Sequence, residues 1–345
     1  MKVIKKILEE MDRCYSVSVM TLDGKPYVFF ATEGEDGGCI AFDCDHLSHR
    51  KQIWEKPGGT MGMVQIPGKD EYIVGLNFYR LFDWEEAEIA RLSLKNGVFQ
   101  LQPLVKSAYL HRFDVLERNG KQYLITCTLA DHKSTREDWR FAGKIRVAQL
   151  DHVLDGKKEM EILCNHFHKN HGYFHFHEDG YDCGLIACAE GVYKIIPPDG
   201  SGSHWQIRQI MSQPTSDVCA IDIDNDGALE IATIEEFHGC YFRIYKSMDH
   251  VWKQVYEHPE VSEFYHVVQA GKICGTNVIV GGCRRGSQHL FLIKWDAIQQ
   301  DFVTINLDTG VGPSNVAIYN GDSGDYLFSA NREIGQAAAY HIMEL

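Results

Sequence analysis

Three histidines occupy the same position in a repeated stretch of this sequence, namely His111, His171 and His266. Three neutral imidazole nitrogens, with room left for water or substrate, form an open site for Zn²⁺, Mn²⁺ or another first-row ion. We therefore predict that these side chains hold a divalent transition metal, zinc or manganese. The alternative is that they solvate a polar channel or bond to neighbouring backbone. The neighbours of His171 that could take its place as a ligand are His168, His175 and His177.

The repeated stretch predicts the elements that position these histidines. It consists of a short apolar run, a tight turn that usually contains glycine, and a second apolar run. Runs that are short, rich in Val, Ile, Tyr and Phe, and separated by DG, NG or GK pairs indicate β-hairpins. Seven copies begin about 46 to 60 residues apart, which is the length of one four-stranded blade of a β-propeller. The copies cover residues 15–31, 61–76, 111–127, 171–188, 218–233, 266–281 and 315–330.

The predicted fold is all-β, a single seven-bladed β-propeller domain over residues 1–345. A third apolar run follows each hairpin, and less regular fourth runs follow in most copies. The last copy has no fourth run, so we predict that residues 2–8 (KVIKKIL) supply its outer strand and close the ring. Residues 128–142 and 155–170 interrupt the rhythm and are predicted to be inserted loops.

In a propeller the first strand of every blade lines the central channel, so the three histidines are expected to converge at one mouth of it. The loop between the second and third strands returns to the same mouth and should surround it. Guanidinium groups at this mouth suit carboxylates and hydroxyl-rich anions. The predicted substrate-binding residues on these loops are Arg80, Arg284, Arg285, Arg332 and Glu333. The residues predicted to move a proton are His132, Tyr79 and His238.

A metal beside arginines and proton-transfer groups favours one class of reaction. Removal of a proton next to a carbonyl or carboxylate requires stabilisation of an enolate oxygen, which a divalent cation and arginines supply. We predict β-elimination, dehydration or tautomerisation of a small sugar derivative, such as a keto-sugar, uronate or oligosaccharide product. The alternatives are a propeller that binds a glycan or protein without catalysis, and a glycoside hydrolase with carboxylates among Glu235, Glu236 and Glu333.

The fifth copy contains a run of carboxylates in the sequence DIDNDGALE. The carboxylates are Asp222, Asp224, Asp226 and Glu230. Their spacing can place oxygen ligands around a hard cation, so we predict a structural calcium site, with an ion-free polar hairpin as the alternative. This run resembles the DxDxDG loop of FG-GAP, or VCBS-type, propeller repeats, a resemblance that implies the propeller fold for the whole chain.

A second resemblance bears on activity. The repeats, the sequence HRFDV that begins at His111, the loop TLADHKSTREDW and the histidines at blade entrances are similar to the propeller of aldos-2-ulose dehydratase and related metal-dependent sugar lyases. This similarity implies metal-dependent elimination or isomerisation of a sugar. It also implies His111, His171 and His266 as metal ligands and His132 as an acid or base.

Composition excludes some partners. The chain has 34 basic and 48 acidic residues and a net charge of −14, which disfavours nucleic-acid binding. Residues 1–12 carry charge throughout and lack the apolar core of a secretory signal, and no stretch resembles a membrane span, so no membrane partner and a cytoplasmic location are predicted. Most of the eleven cysteines lie in apolar strand patterns, which indicates buried free thiols. The oligomeric state is not predicted.

Overall fold

In the computed structural model the described residues are 2–78, 84–156, 160–200 and 202–345, and they form 28 β-strands in seven four-stranded antiparallel sheets. The first strand of each sheet contacts the first strand of the next sheet, and the last sheet contacts the first in the same way. The sheets therefore form a ring, a seven-bladed β-propeller, as the repeat predicts.

The strands are labelled in chain order. Strand β1 (Lys2–Glu10) precedes the first blade. Blades one to three contain β2 (Cys14–Leu22), β3 (Lys25–Thr32), β4 (Cys39–Asp43), β5 (Arg50–Trp54), β6 (Gly62–Gln65), β7 (Glu71–Leu76), β8 (Glu88–Lys95), β9 (Val98–Lys106), β10 (Leu110–Arg118), β11 (Lys121–Thr128), β12 (Gly143–Gln149) and β13 (Glu161–Phe167). Blades four to seven contain β14 (Gly172–Glu178), β15 (Tyr181–Cys188), β16 (Gly191–Ile196), β17 (Gln206–Met211), β18 (Asp217–Ile221), β19 (Glu230–Glu235), β20 (Tyr241–Met248), β21 (Val251–Glu257), β22 (Tyr265–Ile273), β23 (Thr276–Cys283), β24 (Leu290–Asp296), β25 (Asp301–Asp308), β26 (Asn315–Gly321), β27 (Gly324–Asn331) and β28 (Gln336–Glu344).

Helices are few in the part of the chain that the structure describes. They are α1 (Leu150–Leu154) and two 3₁₀ turns, Trp84–Glu86 and Arg332–Ile334. None of these helices has the length and apolar character needed to span a membrane.

The hairpin turns explain why the first two strands of a blade pair in one register. Asn119 and Gly120 have φ values of 51° and 71°, and Asp179 and Gly180 have 52° and 83°. Two successive residues with positive φ match the right-handed twist of the flanking strands, and Asn-Gly and Asp-Gly adopt that conformation readily. The seven predicted hairpins are thereby confirmed as the inner two strands of the seven blades.

The ring closes as predicted. Strand β1 pairs antiparallel with β28 and becomes the outer strand of the seventh blade, whose other strands come from the opposite end of the sequence. Phe30 of the first blade packs against Phe328 of the seventh at a ring-centroid distance of 6.4 Å. At the other six junctions the continuous chain links one blade to the next. The pairing of β1 with β28 therefore completes the ring and covers the edge of β28.

The apolar core lies between neighbouring blades. Phe29 packs on Tyr72 across the junction of blades one and two, and Phe242 packs on Phe291 across the junction of blades five and six, with centroid distances of 5.4 and 5.3 Å. All four rings are buried because the second and third strands of a blade are covered on both faces. This packing holds the strand entrances at fixed positions around the channel.

One of the two predicted insertions is different in the structure. The stretch 155–170 contains β13, the outer strand of the third blade, so the prediction of a loop is wrong for Glu161–Phe167. The strand was missed because its exposed outer face gives ILCNHF a mixed rather than alternating polarity. The stretch 128–142 is a loop between β11 and β12, apart from Thr128 at the end of β11.

Candidate metal centre

A cavity of about 560 Å³ lies at the channel mouth where the first strands begin. His111, His171 and His266 line it from three blade entrances. Loops that join second to third strands supply His238, Arg284, Arg285, Arg332 and Glu333, as predicted from the geometry of a propeller. The predicted residues that the structure describes on this face are therefore brought together, with the exception of His132.

Backbone carbonyls fix the ring orientation of the three entrance histidines. His111 Nδ1 lies 3.0 Å from the His171 carbonyl oxygen, His171 Nδ1 lies 3.1 Å from that of Ser216, and His266 Nδ1 lies 2.7 Å from that of Ser314. A carbonyl only accepts, so each Nδ1 carries the proton and each Nε2 of a neutral ring keeps a free lone pair. Each acceptor belongs to the entrance of the next blade, so the ring of blades itself sets these tautomers.

The side chains that converge most closely are His171, His238 and His266. One ring nitrogen from each lies within 4.8 Å of the other two. The Nε2 atoms of His171 and His238 are 3.1 Å apart. Two nitrogen ligands of a tetrahedral zinc, each about 2.0–2.1 Å from the ion, lie roughly 3.3 Å apart, so this spacing fits a shared metal.

The converging set differs from the predicted set in one member. His111 is outside the group; its ring packs on that of His171 at a centroid distance of 4.2 Å and its Nδ1 bonds to the His171 backbone. His238, predicted to move a proton, takes the third position from the loop between β19 and β20. Its ring is held between Phe237 and Phe264, with centroid distances of 4.0 and 4.3 Å.

All four histidines are neutral at physiological pH. Burial holds the pKa values of His111, His171 and His266 well below the usual range, and neighbouring arginines or histidines add to the effect. Burial also lowers the pKa of His238 to about 3, with Arg284 as the next cause. Neutral imidazole is the form that can bind a metal, and all four rings are in that form at neutral pH.

These pKa shifts predict how the stability of the metal-free protein depends on pH. Below a pH of about 6.5, which is the pKa of histidine in the unfolded chain, these histidines are protonated in the unfolded protein but stay neutral in the folded one. The free energy of unfolding should therefore fall as the pH is lowered from about 6 towards 5, by roughly 1.4 kcal/mol per pH unit for each such histidine. Denaturant unfolding of the chelator-treated protein measures this slope. His266→Gln should reduce the slope by about 1.4 kcal/mol per pH unit, and an unchanged slope would contradict the assignment.

Tyr15 is a functional candidate that the sequence did not reveal. It is the second residue of β2, is 3% exposed, and places its hydroxyl 3.4 Å from His266 Nε2. Burial raises its pKa, so the phenol keeps its proton at neutral pH. Its position is the register equivalent of the entrance histidines, which is the signal that could have identified it.

The arginines of the cavity fall into two kinds. Arg284 contacts Glu333 at 2.7 Å, and Arg332 donates from Nε to Glu33 at 2.6 Å and from Nη1 to Glu333 at 3.2 Å. Arg285, by contrast, has no ion pair with any carboxylate among the described residues, and its guanidinium lies 5.4 Å from the Phe264 ring centroid.

The inserted loop between β11 and β12 forms one wall of the cavity. Arg136, Glu137 and Trp139 from this loop line it, and the Trp139 ring contacts that of Phe237 at 4.8 Å. The sequence marked the loop as a place for functional residues but singled out His132 within it. His132 does not line the cavity; its side chain is 56% exposed and lies 3.9 Å from Glu85.

Other predicted residues lie elsewhere or outside the described residues. Tyr79 and Arg80 fall outside the described ranges. The alternative ligands of the fourth blade bind carboxylates away from the converging set. These pairs are His168 with Glu190, His175 with Asp114 and His177 with Asp182. Glu235, a candidate for glycoside hydrolysis, accepts from Arg243 at 2.6 Å and Tyr245 at 2.9 Å and is buried.

The acidic loop of the fifth blade surrounds a lysine. Lys246 Nζ lies 2.7 Å from Asp226, 2.9 Å from Glu230 and in contact with Asp224. Asp222 accepts from the backbone of Asp226 and Gly227 at 3.0 and 2.9 Å. Lys246 stands opposite Glu230 in the register of β19 and β20, which places its ammonium group between these carboxylates. One carboxylate oxygen from each of Asp222, Asp224 and Asp226 also lies within 4.8 Å of the other two, so the calcium site stays a prediction.

No protein-family model matches this chain, and no curated protein matches it significantly in sequence. The class that the structure itself defines is the seven-bladed β-propeller with a histidine-lined cavity at one mouth of its channel.

Proposed function

We propose that this propeller is a divalent-metal-dependent carbon–oxygen lyase or isomerase that acts on a small sugar derivative by β-elimination, dehydration or tautomerisation. The observation that carries the proposal is the convergence of His171, His238 and His266 in one cavity. These rings are neutral, and backbone bonds from Nδ1 of His171 and His266 leave Nε2 of both rings unprotonated. Zn²⁺ or Mn²⁺ is the metal that such nitrogen ligands suit.

When bound, the divalent cation would polarise a carbonyl or carboxylate oxygen and acidify the neighbouring C–H group. The chain's own residues supply the remaining requirements. Arg284 and Arg332 are held in place by Glu333 and Glu33, so their positions are set before substrate arrives. Guanidinium groups fixed in this way stabilise developing negative charge on oxygen without reorganisation.

Two residues can move the protons of an elimination. Glu137 lines the cavity and, among the described residues, has no ion-pair partner, unlike Glu33 and Glu333. Its carboxylate can accept the proton from carbon, and the C–H electron pair then forms the new double bond. The Tyr15 hydroxyl can donate its proton to the departing oxygen as the C–O bond breaks. In a tautomerisation the same two groups remove and return one proton.

Aromatic rings provide walls for a sugar. Trp139, Phe237 and Phe264 line the cavity together with the charged groups. Apolar walls with a few convergent polar groups are typical of small-molecule sites, and a volume of about 560 Å³ admits a mono- or disaccharide. All eleven cysteines are free thiols, which supports our placement of the enzyme in the reducing cytoplasm.

The test of the proposal is a substrate panel. Keto-sugars, uronides and short uronate-containing oligosaccharides are incubated with chelator-treated protein and with the same protein reloaded with Zn²⁺ or Mn²⁺. A new enone or enol-ether absorbance, or an isomerised sugar by NMR, should appear only in the reloaded samples. Glycan binding without turnover in the metal-loaded protein would instead support the non-catalytic alternative.

Replacement of Tyr15 tests its role in proton transfer. Tyr15→Phe retains the ring contact with His266 but removes the hydroxyl, so kcat for an elimination should fall about 100-fold. The metal content should remain that of wild type. A kcat within about 2-fold of wild type on a substrate with a poor leaving group, for which acid catalysis matters most, would remove Tyr15 from the mechanism.

A further inference from the structure

The cavity carries a local excess of positive charge in an acidic protein. Its charged lining residues are four arginines, Arg136, Arg284, Arg285 and Arg332, and three glutamates, Glu33, Glu137 and Glu333. The net charge of this lining is therefore +1, before any metal is added, although the whole chain has a net charge of −14. The four cavity histidines are neutral, so they do not add to this charge.

The carboxylates of the cavity do not neutralise all of its arginines. Glu333 contacts Arg284 and Arg332, and Glu33 contacts Arg332. Arg136 and Arg285 have no ion pair with any carboxylate in the described ranges of the chain. Both arginines line the same cavity as His171, His238 and His266.

These two arginines come from loops of different blades, the third and the sixth. Arg136 comes from the inserted loop of the third blade, next to the aromatic wall formed by Trp139. Arg285 comes from the loop between β23 and β24 and packs on Phe264. A sugar ring against these walls would meet two planar donors, each able to form paired hydrogen bonds with a carboxylate.

We infer that the substrate is a sugar acid, and that Arg136 and Arg285 bind its carboxylate. This inference rests on the proposed function for the reaction that follows binding, and it narrows that proposal from sugar derivatives in general to anionic ones. A neutral keto-sugar would leave two cavity arginines without a partner, whereas a uronate neutralises the excess charge.

The experiment measures equilibrium binding of D-glucuronate, its methyl ester and D-glucose by NMR titration of the intact, metal-loaded protein. The proteins are wild type, Arg136→Gln, Arg285→Gln and the double variant. Arg208→Gln is the matched control, since Arg208 is exposed on the outer strand β17 and does not line the cavity. Each cavity substitution should weaken glucuronate binding roughly 10-fold, and the double variant roughly 100-fold. Binding of D-glucose, and all binding by the control, should stay as in wild type.

Glucuronate that binds no tighter than D-glucose, or binding that Arg136→Gln and Arg285→Gln leave unchanged, would overturn the inference. Failure of the proposed function looks different. If the protein holds no metal and turns over no sugar while glucuronate binding still depends on both arginines, the lyase proposal fails and the anion site stands. If the protein binds metal and turns over neutral sugars, but glucuronate binding does not depend on the two arginines, the lyase proposal stands and the anion site fails.

Discussion

His238→Ala is expected to abolish stoichiometric binding of Zn²⁺ or Mn²⁺ and, with it, turnover. The reason is that His238 supplies one of three ring nitrogens within 4.8 Å of one another, and two remaining ligands do not hold a divalent ion at micromolar protein concentration. His171→Ala should behave in the same way. Elemental analysis after exhaustive dialysis measures the metal directly, before any substrate is known.

His111→Ala is the informative comparison. His111 contacts His171 but lies outside the converging set, so its loss should weaken metal affinity by about 10- to 100-fold through misplacement of His171, rather than eliminate it. His132→Ala is the control, because that side chain is 56% exposed and lies outside the cavity. Full metal content in His238→Ala would show that His238 is not a ligand. If His111→Ala lost all metal as well, the ligands would be the three entrance histidines, as the sequence predicts.

Lys246→Met is expected to lower the free energy of unfolding by about 3 kcal/mol, because it leaves buried carboxylates without their counter-charge. Glu230 is fully buried, and the lysine side chain is only 16% exposed between it and two aspartates. The methionine keeps the length of the side chain, so most of the loss is electrostatic. Denaturant unfolding of both proteins at neutral pH measures the difference.

The same variant tests whether the lysine stands in for a cation. With the ammonium group removed, the carboxylates of the loop become available, and Ca²⁺ should raise the unfolding temperature of Lys246→Met but not that of wild type. Lys253→Met is the matched control, since Lys253 is exposed and lies opposite Lys246 on the neighbouring strand. A wild-type protein that gains stability with Ca²⁺ would show that the ion displaces the lysine, and would support the sequence-based prediction.

Much of the fold was predictable because the signals are local. Asn119-Gly120 and Asp179-Gly180 adopt positive φ at consecutive positions, and that preference belongs to the dipeptide itself. Such hairpins recur at intervals that match one propeller blade, and few folds can bury every apolar run of a sequence with that repeat. The outer strand β13 was not predicted, because an exposed edge strand lacks the strict alternation of apolar and polar residues that indicates a strand.

The candidate site was predictable only in part. The convergence of His171 and His266 follows from their equivalent positions in the repeat, since equivalent positions of a closed ring face one axis. The third ring nitrogen comes from His238, and its place depends on how one loop packs between Phe237 and Phe264. Lys246 was not considered as a partner of the acidic loop, because it lies sixteen positions from Glu230 in sequence and opposite it only in the paired strands.

The sequence by itself determined the hairpins, their number and the strand that closes the ring, since turn preferences and apolar periodicity act over a few residues and recur in every blade. Only the tertiary structure decided which histidines meet, which arginines keep a partner and that Lys246 contacts the carboxylates of the acidic loop. Those outcomes depend on distances between side chains from separate blades. Such distances are set by packing of the whole ring, and no local pattern encodes them.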